Sequence, residues 1–521
     1  MKVVSFVGER MTAGVFLWLM TGLLIVSCIQ SAGAQQEGEV VDIGNRSQIF
    51  IDGRYLESAE NVRIVACLPR KTQERCLASK PYWVAVKRGG WLHAYATILP
   101  VDGTFRGFDA LTKDGANWRR VDRGTAPEPD DLLGLYNGKP SLFVDPTAPP
   151  DERYKLFNVD HPRAGWIKAS PNGAEWHTIA EGMFPPEAAW PRGFDSHNKC
   201  FYDTRLGKYV AYVRVNKAYP APPESRDYFA GWAKRLGQKD TYFMRTIGRS
   251  VTEDLSSFPM PEVVFECDEK DAQFGGVGVM DFYMPEVVQY PHAQDAYFLF
   301  NSRYLHYHDW FLADDLTIYS RSGVEPISTG LIDIGLAASR DGINWQRFDR
   351  KPWIPLGPEG SFDSKVMFMC AGMFSHGDEI WMYYVGGDCL HGSRERLERE
   401  GTYVLSRVVL IKDRFTAVEA DYTGGEFTTP PLLFEGEALH LNINTSALGL
   451  ARVEIQDADG NPIEGFSLDD CDRIHTANTV DRVVTWRRSE SDVSALAGRP
   501  VRLRFELQFG AKLHAFRFGE G

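Results

Sequence analysis

Residues 194–214 read FDSHNKCFYDTRLGKYVAYVR. Residues 201–203 close one extended run, Arg205-Leu206-Gly207-Lys208 is a turn, and residues 209–213 form a second run of β-branched and aromatic side chains. That pattern predicts a β-hairpin. Asp195, Ser196, His197 and Asn198 crowd the approach to its first strand. Polar groups in such a place are costly to bury without partners, so they are either solvated or line a site.

The same order of polar approach, apolar strand, turn and second strand returns at residues 139–159, 281–301 and 368–385. A second repeat runs through it. Thr112-Lys113-Asp114-Gly115-Ala116-Asn117-Trp118, Ser170-Pro171-Asn172-Gly173-Ala174-Glu175-Trp176 and Ser339-Arg340-Asp341-Gly342-Ile343-Asn344-Trp345 all fit [ST]-x-[DN]-G-x-x-W. Asn or Asp before Gly supplies a tight turn, and the Trp packs as the next strand begins. Residues 250–258 look like a degenerate copy, with Phe258 in the Trp position.

Repeats built of short strands indicate a β-propeller. The expected fold is all-β: a five-bladed propeller over residues 45–420, then a β-sandwich over residues 425–521, where strongly alternating strands follow the Gly424-Gly425 linker. Residues 225–239 and the charged segment 393–400 read as insertions. Asp114, Asp145 and Asp341 read as turn residues.

Residues 1–34 resemble a secretory signal peptide: Lys2 and Arg10, an apolar run over 15–26, and Ala32-Gly33-Ala34 as a cleavage site. Ile25-Val26-Ser27-Cys28 offers a second reading, a lipid anchor at Cys28. Neither reading leaves a membrane-spanning segment. The expected location is secreted, periplasmic or cell-envelope. The chain carries a net charge of −13, and residues 1–34 contribute +1, so the remainder is near −14. An acidic protein is a poor partner for nucleic acid or an anionic membrane and is compatible with a neutral substrate. The seven cysteines after Ala34 are scattered without a C-x-x-C pair, so no metal site is expected. Cys67 and Cys76 are close enough to close a small disulfide loop, and free thiols are the alternative. The pair of histidines at His306 and His308 reads as an exposed loop. No cofactor is expected. A structural cation on a propeller axis is left open.

Together these features resemble the five-bladed propeller glycosidases, the invertases, levanases, arabinanases and β-xylosidases of glycoside hydrolase families 32 and 43, in a secreted bacterial form of planctomycete type. The resemblance implies carboxylates at the propeller axis and a carbohydrate substrate. One carboxyl group protonates the leaving oxygen, and another attacks or activates water. The family motifs are altered. Trp91-Leu92-His93-Ala94-Tyr95 stands where W-x-N-D-P-N-G is expected, and Gly138-Lys139-Pro140 replaces R-D-P. The expected catalytic acids are therefore Asp195, Asp281 and Asp363, with Glu286 and Asp109 as further candidates. Trp91, His93, Asn137, Lys139, His197, Asn198, Arg214, Tyr283, Glu286, Arg303 and His391 are the expected substrate contacts.

Three functions follow from the resemblance and these substitutions. The first is hydrolysis of a glycosidic bond in an oligo- or polysaccharide. The second is carbohydrate binding or scaffolding without catalysis. The third is a sialidase-like hydrolase, in which Arg214 and Arg303 would serve Tyr283.

Overall fold

A computed structural model describes residues 40–521 apart from 80–83, 89–90, 96–108, 113, 115, 118, 121–140, 160–164, 172–175, 189–192, 195–196, 221–240, 272, 275–276, 279, 294, 307–329, 371, 392–402 and 488–489. The described chain is all-β. Among the described residues no helix is long and apolar enough to cross a membrane. Cys67 is a free thiol, so the small loop between Cys67 and Cys76 is not closed by a disulfide.

The middle of the chain is a succession of antiparallel meanders. Strands Val84–Arg88, Trp91–Tyr95, Asp109–Thr112 and Arg119–Arg120 form one four-stranded sheet, and Ser141–Val144 to His177–Glu181 form the next. The third holds the opening stretch. Lys199–Asp203 and Lys208–Pro220 make the expected hairpin, followed by Thr241–Thr252 and Glu262–Phe265. Gly207 sits at φ +65° in its turn, and Asp203 Oδ1 accepts from the Arg205 and Leu206 N–H groups. The expected insertions at 225–239 and 393–400 lie outside the described residues.

A ten-stranded sheet contains the last two meanders. Met280–Gln289, Tyr297–His306 and Gly330–Ser339 pair in order, and a parallel bridge from Ile332 to Val366 joins them to Val366–Met369, Glu379–Gly387 and Tyr403–Ile411. The outermost strands of this last meander come from far upstream. Arg70–Lys71 and Leu77–Ser79 pair with Tyr403–Ile411.

The repeated turn motif behaves as its sequence demands. Asp341 Oδ1 accepts from the N–H groups of Ile343 and Asn344, and Asp114 Oδ1 does the same for Ala116 and Asn117. The half-buried Trp345 packs edge-on against Tyr212 of the preceding meander, and Phe258, in the degenerate copy, stacks on Phe184.

The sandwich alternates cleanly. In Val501–Gln508 the residues Val501, Leu503, Phe505 and Leu507 are buried, and the intervening charged or polar residues are half-exposed. Its make-up differs from the expected C-terminal unit. Val41–Gly44 and Ser58–Glu60 pair into one of its sheets and Val62–Ala66 into the other, so the sandwich draws strands from both ends of the chain. The physical reason is edge protection: Ser58–Glu60 and Val62–Ala66 cover strand edges that would otherwise be open. Phe50, Tyr55, Phe427, Phe505 and Phe516 fill the core between the two sheets.

Candidate functional site

The first strands Ser141–Val144, Lys199–Asp203 and Met280–Gln289 lie beside one another in turn. Glu286, on Met280–Gln289, is 1% exposed. Lys199 opens the neighbouring first strand and donates to Glu286 Oε1 at 2.7 Å. His197 Nδ1 lies 3.6 Å from Oε2, which accepts no hydrogen bond among the described residues. Cys370, directly after the strand Val366–Met369, is buried, and burial first and the Glu286 charge second push its thiol up. Burial pushes the Glu286 carboxyl above its ordinary range, and the charge and hydrogen bond of Lys199 offset only part of that rise.

The approach itself is tied down. Asn198 Oδ1 accepts from the Arg214 N–H at 2.8 Å, and Asn198 Nδ2 donates to the Val159 carbonyl. Phe194 adopts φ +68° while its N–H donates to the Arg214 carbonyl at 3.0 Å. A bulky residue in the left-handed region carries strain of about 1–2 kcal/mol, and such strain clusters where a loop must hold an unusual course.

A second cluster flanks the first. Asp281 is fully buried and accepts from both the Arg245 guanidinium, at 2.9 Å, and the Arg245 N–H. The Arg245 guanidinium lies over the rings of Tyr283 and Tyr304, and Arg214 also lies over Tyr283. Burial opposes the Arg245 charge, and the Asp281 carboxylate more than restores it, so this arginine is held firmly protonated. His391 Nδ1 lies 3.0 Å from the Tyr304 hydroxyl and packs edge-on against Tyr283 and Phe368.

The structure therefore gathers His197, Asn198, Arg214, Asp281, Tyr283, Glu286 and His391. It separates two other expected residues from them. Asp363 Oδ2 accepts from Lys71 at 2.6 Å and Tyr384 at 2.8 Å, and Oδ1 accepts from Ser361. Burial alone would raise its pKa, but these hydrogen bonds and the Lys71 charge outweigh it and hold the carboxyl below the ordinary range. Lys71 belongs to the outermost strand of its sheet, so we assign Asp363 a structural place and no reacting role. Arg303 makes a two-pronged ion pair with Asp333, at 2.6 and 2.9 Å, and the two guanidinium groups over the Tyr283 ring are those of Arg214 and Arg245. Tyr283 is 4% exposed beneath two arginines, a buried support in place of the expected sugar-stacking face. Asp195, Asn137 and Lys139, and the side chains of Trp91 and His93, lie outside the described residues.

Lys199, Arg245, Tyr304 and Cys370 join the site without having been singled out. Lys199 carried a signal, a charge opening an otherwise apolar strand. Arg245 carried none, because its partner is thirty-six residues away.

No protein-family model matches the chain, and no curated protein matches it. Among solved structures it is similar to a protein described as a glycoside hydrolase, at 12% identity over 70% of this chain and 92% of that one, with a TM-score of 0.37. It is also similar to a family 43 arabinoxylan arabinofuranohydrolase from Bacillus subtilis, at 12% identity over 87% and 99% of the two chains and a TM-score of 0.34. A third similar structure comes from work on family 130 mannoside phosphorylases and hydrolases of β-1,2 mannosidic linkages, at 11% identity over 72% and 97% and a TM-score of 0.35. These likenesses are distant, and no residue's role comes with them.

Proposed function

We propose that this chain is a secreted glycoside hydrolase of five-bladed propeller architecture, released by cleavage after Ala34, with Glu286 as its general acid. The observation that carries the reading is the Glu286 carboxyl group: buried beside the neighbouring first strand, raised in pKa, with one oxygen on Lys199 and the other buried without a hydrogen bond among the described residues, a place a proton fills. A carboxyl whose pKa is raised by burial is better suited to protonate a glycosidic oxygen than an ordinary one. Glu286 gives its proton to the leaving oxygen as the glycosidic C–O bond breaks, and the carboxylate left behind is stabilised by Lys199. Asp281, paired with the Arg245 guanidinium, is the described candidate for the second carboxylate, and Asp195 is a further candidate. One of them attacks the anomeric carbon or takes the proton of an attacking water.

A second reading has an observation of its own. Asp281 and Asp363 are both committed to cations, which favours a propeller that binds carbohydrate without cleaving it.

The test is sugar release from a panel of aryl glycosides and polysaccharides, including arabinoxylan and β-1,2-mannan, by wild type and Glu286→Gln. Release that Glu286→Gln abolishes in a folded protein supports hydrolysis. Binding without release selects the second reading, and release unaffected by Glu286→Gln overturns the role of Glu286.

A further inference from the structure

A second polar cavity lies far along the chain from Glu286, where the last meander meets the sandwich. Its volume is about 190 Å³, and Asp378, Lys412, Asp413, His440, Asp481 and Arg517 bring its charged and titratable groups, with Phe516 and Val480 as apolar wall. The volume is roughly fifteen times the ~10–15 Å³ that seats one water, so it admits one small ring with its hydration. We propose that this cavity is an ancillary carbohydrate site that takes a single neutral sugar unit of a glycan.

The lining chemistry selects that ligand. Three carboxylates, from Asp378, Asp413 and Asp481, disfavour an anion, and Lys412 with Arg517 disfavours a cation. Among the described residues no group of three His, Cys, Asp or Glu side chains is placed to hold a metal. A neutral ring with vicinal hydroxyls suits such a mixed set, since each hydroxyl donates to a carboxylate and accepts from an ammonium or guanidinium.

The site is also prearranged. His440 is 6% exposed, with Nδ1 2.8 Å from Asp481 Oδ1 and Nε2 2.8 Å from the Glu520 carbonyl. Arg517 donates to the same Asp481 oxygen at 2.8 Å. Asp413 is fixed by Tyr290 and by Ser47, itself part of the lining, and Asn442 by Arg414 and the Lys412 carbonyl. Groups locked in this way lose little freedom on binding. Clefts at domain junctions are a common place for small-molecule sites.

The choice of a sugar rests on the glycan reading of the Glu286 site, and the test separates the two. Saturation-transfer NMR is recorded on the whole protein with the methyl glycosides of arabinose, xylose, galactose and mannose. Wild type, Glu286→Gln, Lys412→Ala and Asp481→Ala are compared. The expected result is a signal that survives Glu286→Gln and falls at least tenfold in Lys412→Ala and Asp481→Ala, with sugar release from short aryl glycosides unchanged. Lys412→Ala carries the test if Asp481→Ala fails to fold. A signal lost only in Glu286→Gln, or kept in Lys412→Ala, overturns the ancillary site and leaves the first site standing. No signal in wild type overturns the ancillary site, and absence of sugar release as well removes the glycan reading with it.

Discussion

Tyr297 donates its hydroxyl to Asp203 Oδ2 at 2.5 Å, and the bond crosses from one meander to the next. Asp203 ends a first strand, and Tyr297 begins the second strand of the following sheet. One meander earlier, Tyr209 donates to Asp145 Oδ2 at 2.7 Å in the same relation. In both cases the other carboxylate oxygen caps its own turn. Two neighbouring junctions thus share one device, in which an aspartate serves its turn with one oxygen and the next sheet with the other. Burial and the adjacent aspartate push the Tyr209 hydroxyl up to about 12, so it stays protonated and remains a donor at physiological pH.

Tyr297→Phe removes a hydrogen bond to a charged acceptor and leaves Asp203 Oδ2 buried. The expected loss is about 1.5–3 kcal/mol, read as a lower urea midpoint at unchanged slope. Tyr209→Phe costs less, because Tyr209 is more exposed. A change under ~0.5 kcal/mol in Tyr297→Phe would remove the device from the list of stabilising contacts.

Glu286 must be protonated to act as an acid, and its folded-state pKa is raised. Activity is therefore present below that value and lost as pH rises through it, above the ~4.3 of an ordinary glutamate. Lys199→Met removes the charge that holds the value down, so the alkaline limb of kcat/KM moves to higher pH. Glu286→Gln lowers kcat by roughly 10²–10⁴ and abolishes the limb. A limb that stays in place in Lys199→Met would separate Glu286 from proton transfer.

Asp363 carries the opposite sign. Its folded-state pKa is depressed by Lys71, Tyr384 and Ser361. The stability it adds is fully present above the ordinary aspartate value, about 3.9, and is lost as pH falls through the lower folded value. Asp363→Asn leaves Lys71 facing a neutral group and costs about 3 kcal/mol or more at pH 7. Thermal melts from pH 7 to pH 3 should show a flatter acid decline in the variant. The folded variant retains its sugar release, and loss of that activity alone would return Asp363 to the reacting groups.

A chain ended after Asp421 lacks Gly425–Thr428, Leu432–Phe434 and Lys512–Gly519, the partners of the N-terminal strands. Phe50 and Tyr55 lose the aromatic neighbours that bury them. The expected outcome is a protein without cooperative unfolding by near-UV circular dichroism. A cooperative melt would show that the meanders stand without the sandwich.

Much of this was legible because it is local. The turn before Lys208 and the Asp341 turn are decided within a few residues, and alternation alone revealed Val501–Gln508. The polar approach at His197 and Asn198 was likewise visible as a run of costly groups. What stayed hidden depends on distant pairing. Nothing local marks Val62–Ala66 as the partner of Thr416–Ala420, or Arg245 as the partner of Asp281. Glu286 reads from the sequence as a sugar contact and only a secondary candidate acid, whereas its burial and its neighbour Lys199 single it out as the acid proposed above, a distinction of environment that residue type does not carry. Asp363 failed in the opposite way: its Gly-Ser surroundings look like an open loop, and only the strand at Lys71 closes over it.

The strand Leu77–Ser79 finds its partner at Tyr403–Leu405, more than three hundred residues later. At about 5–20 residues per second of synthesis, the early strand is made on the order of tens of seconds before the late one exists. Until then its backbone donors and acceptors, and those of Val41–Gly44 and Val62–Ala66, have no sheet to join. The chain cannot mature from its beginning toward its end. Its first strands must be kept from other edges until the last have arrived, so long-range pairing, rather than local strand formation, sets the pace of its folding.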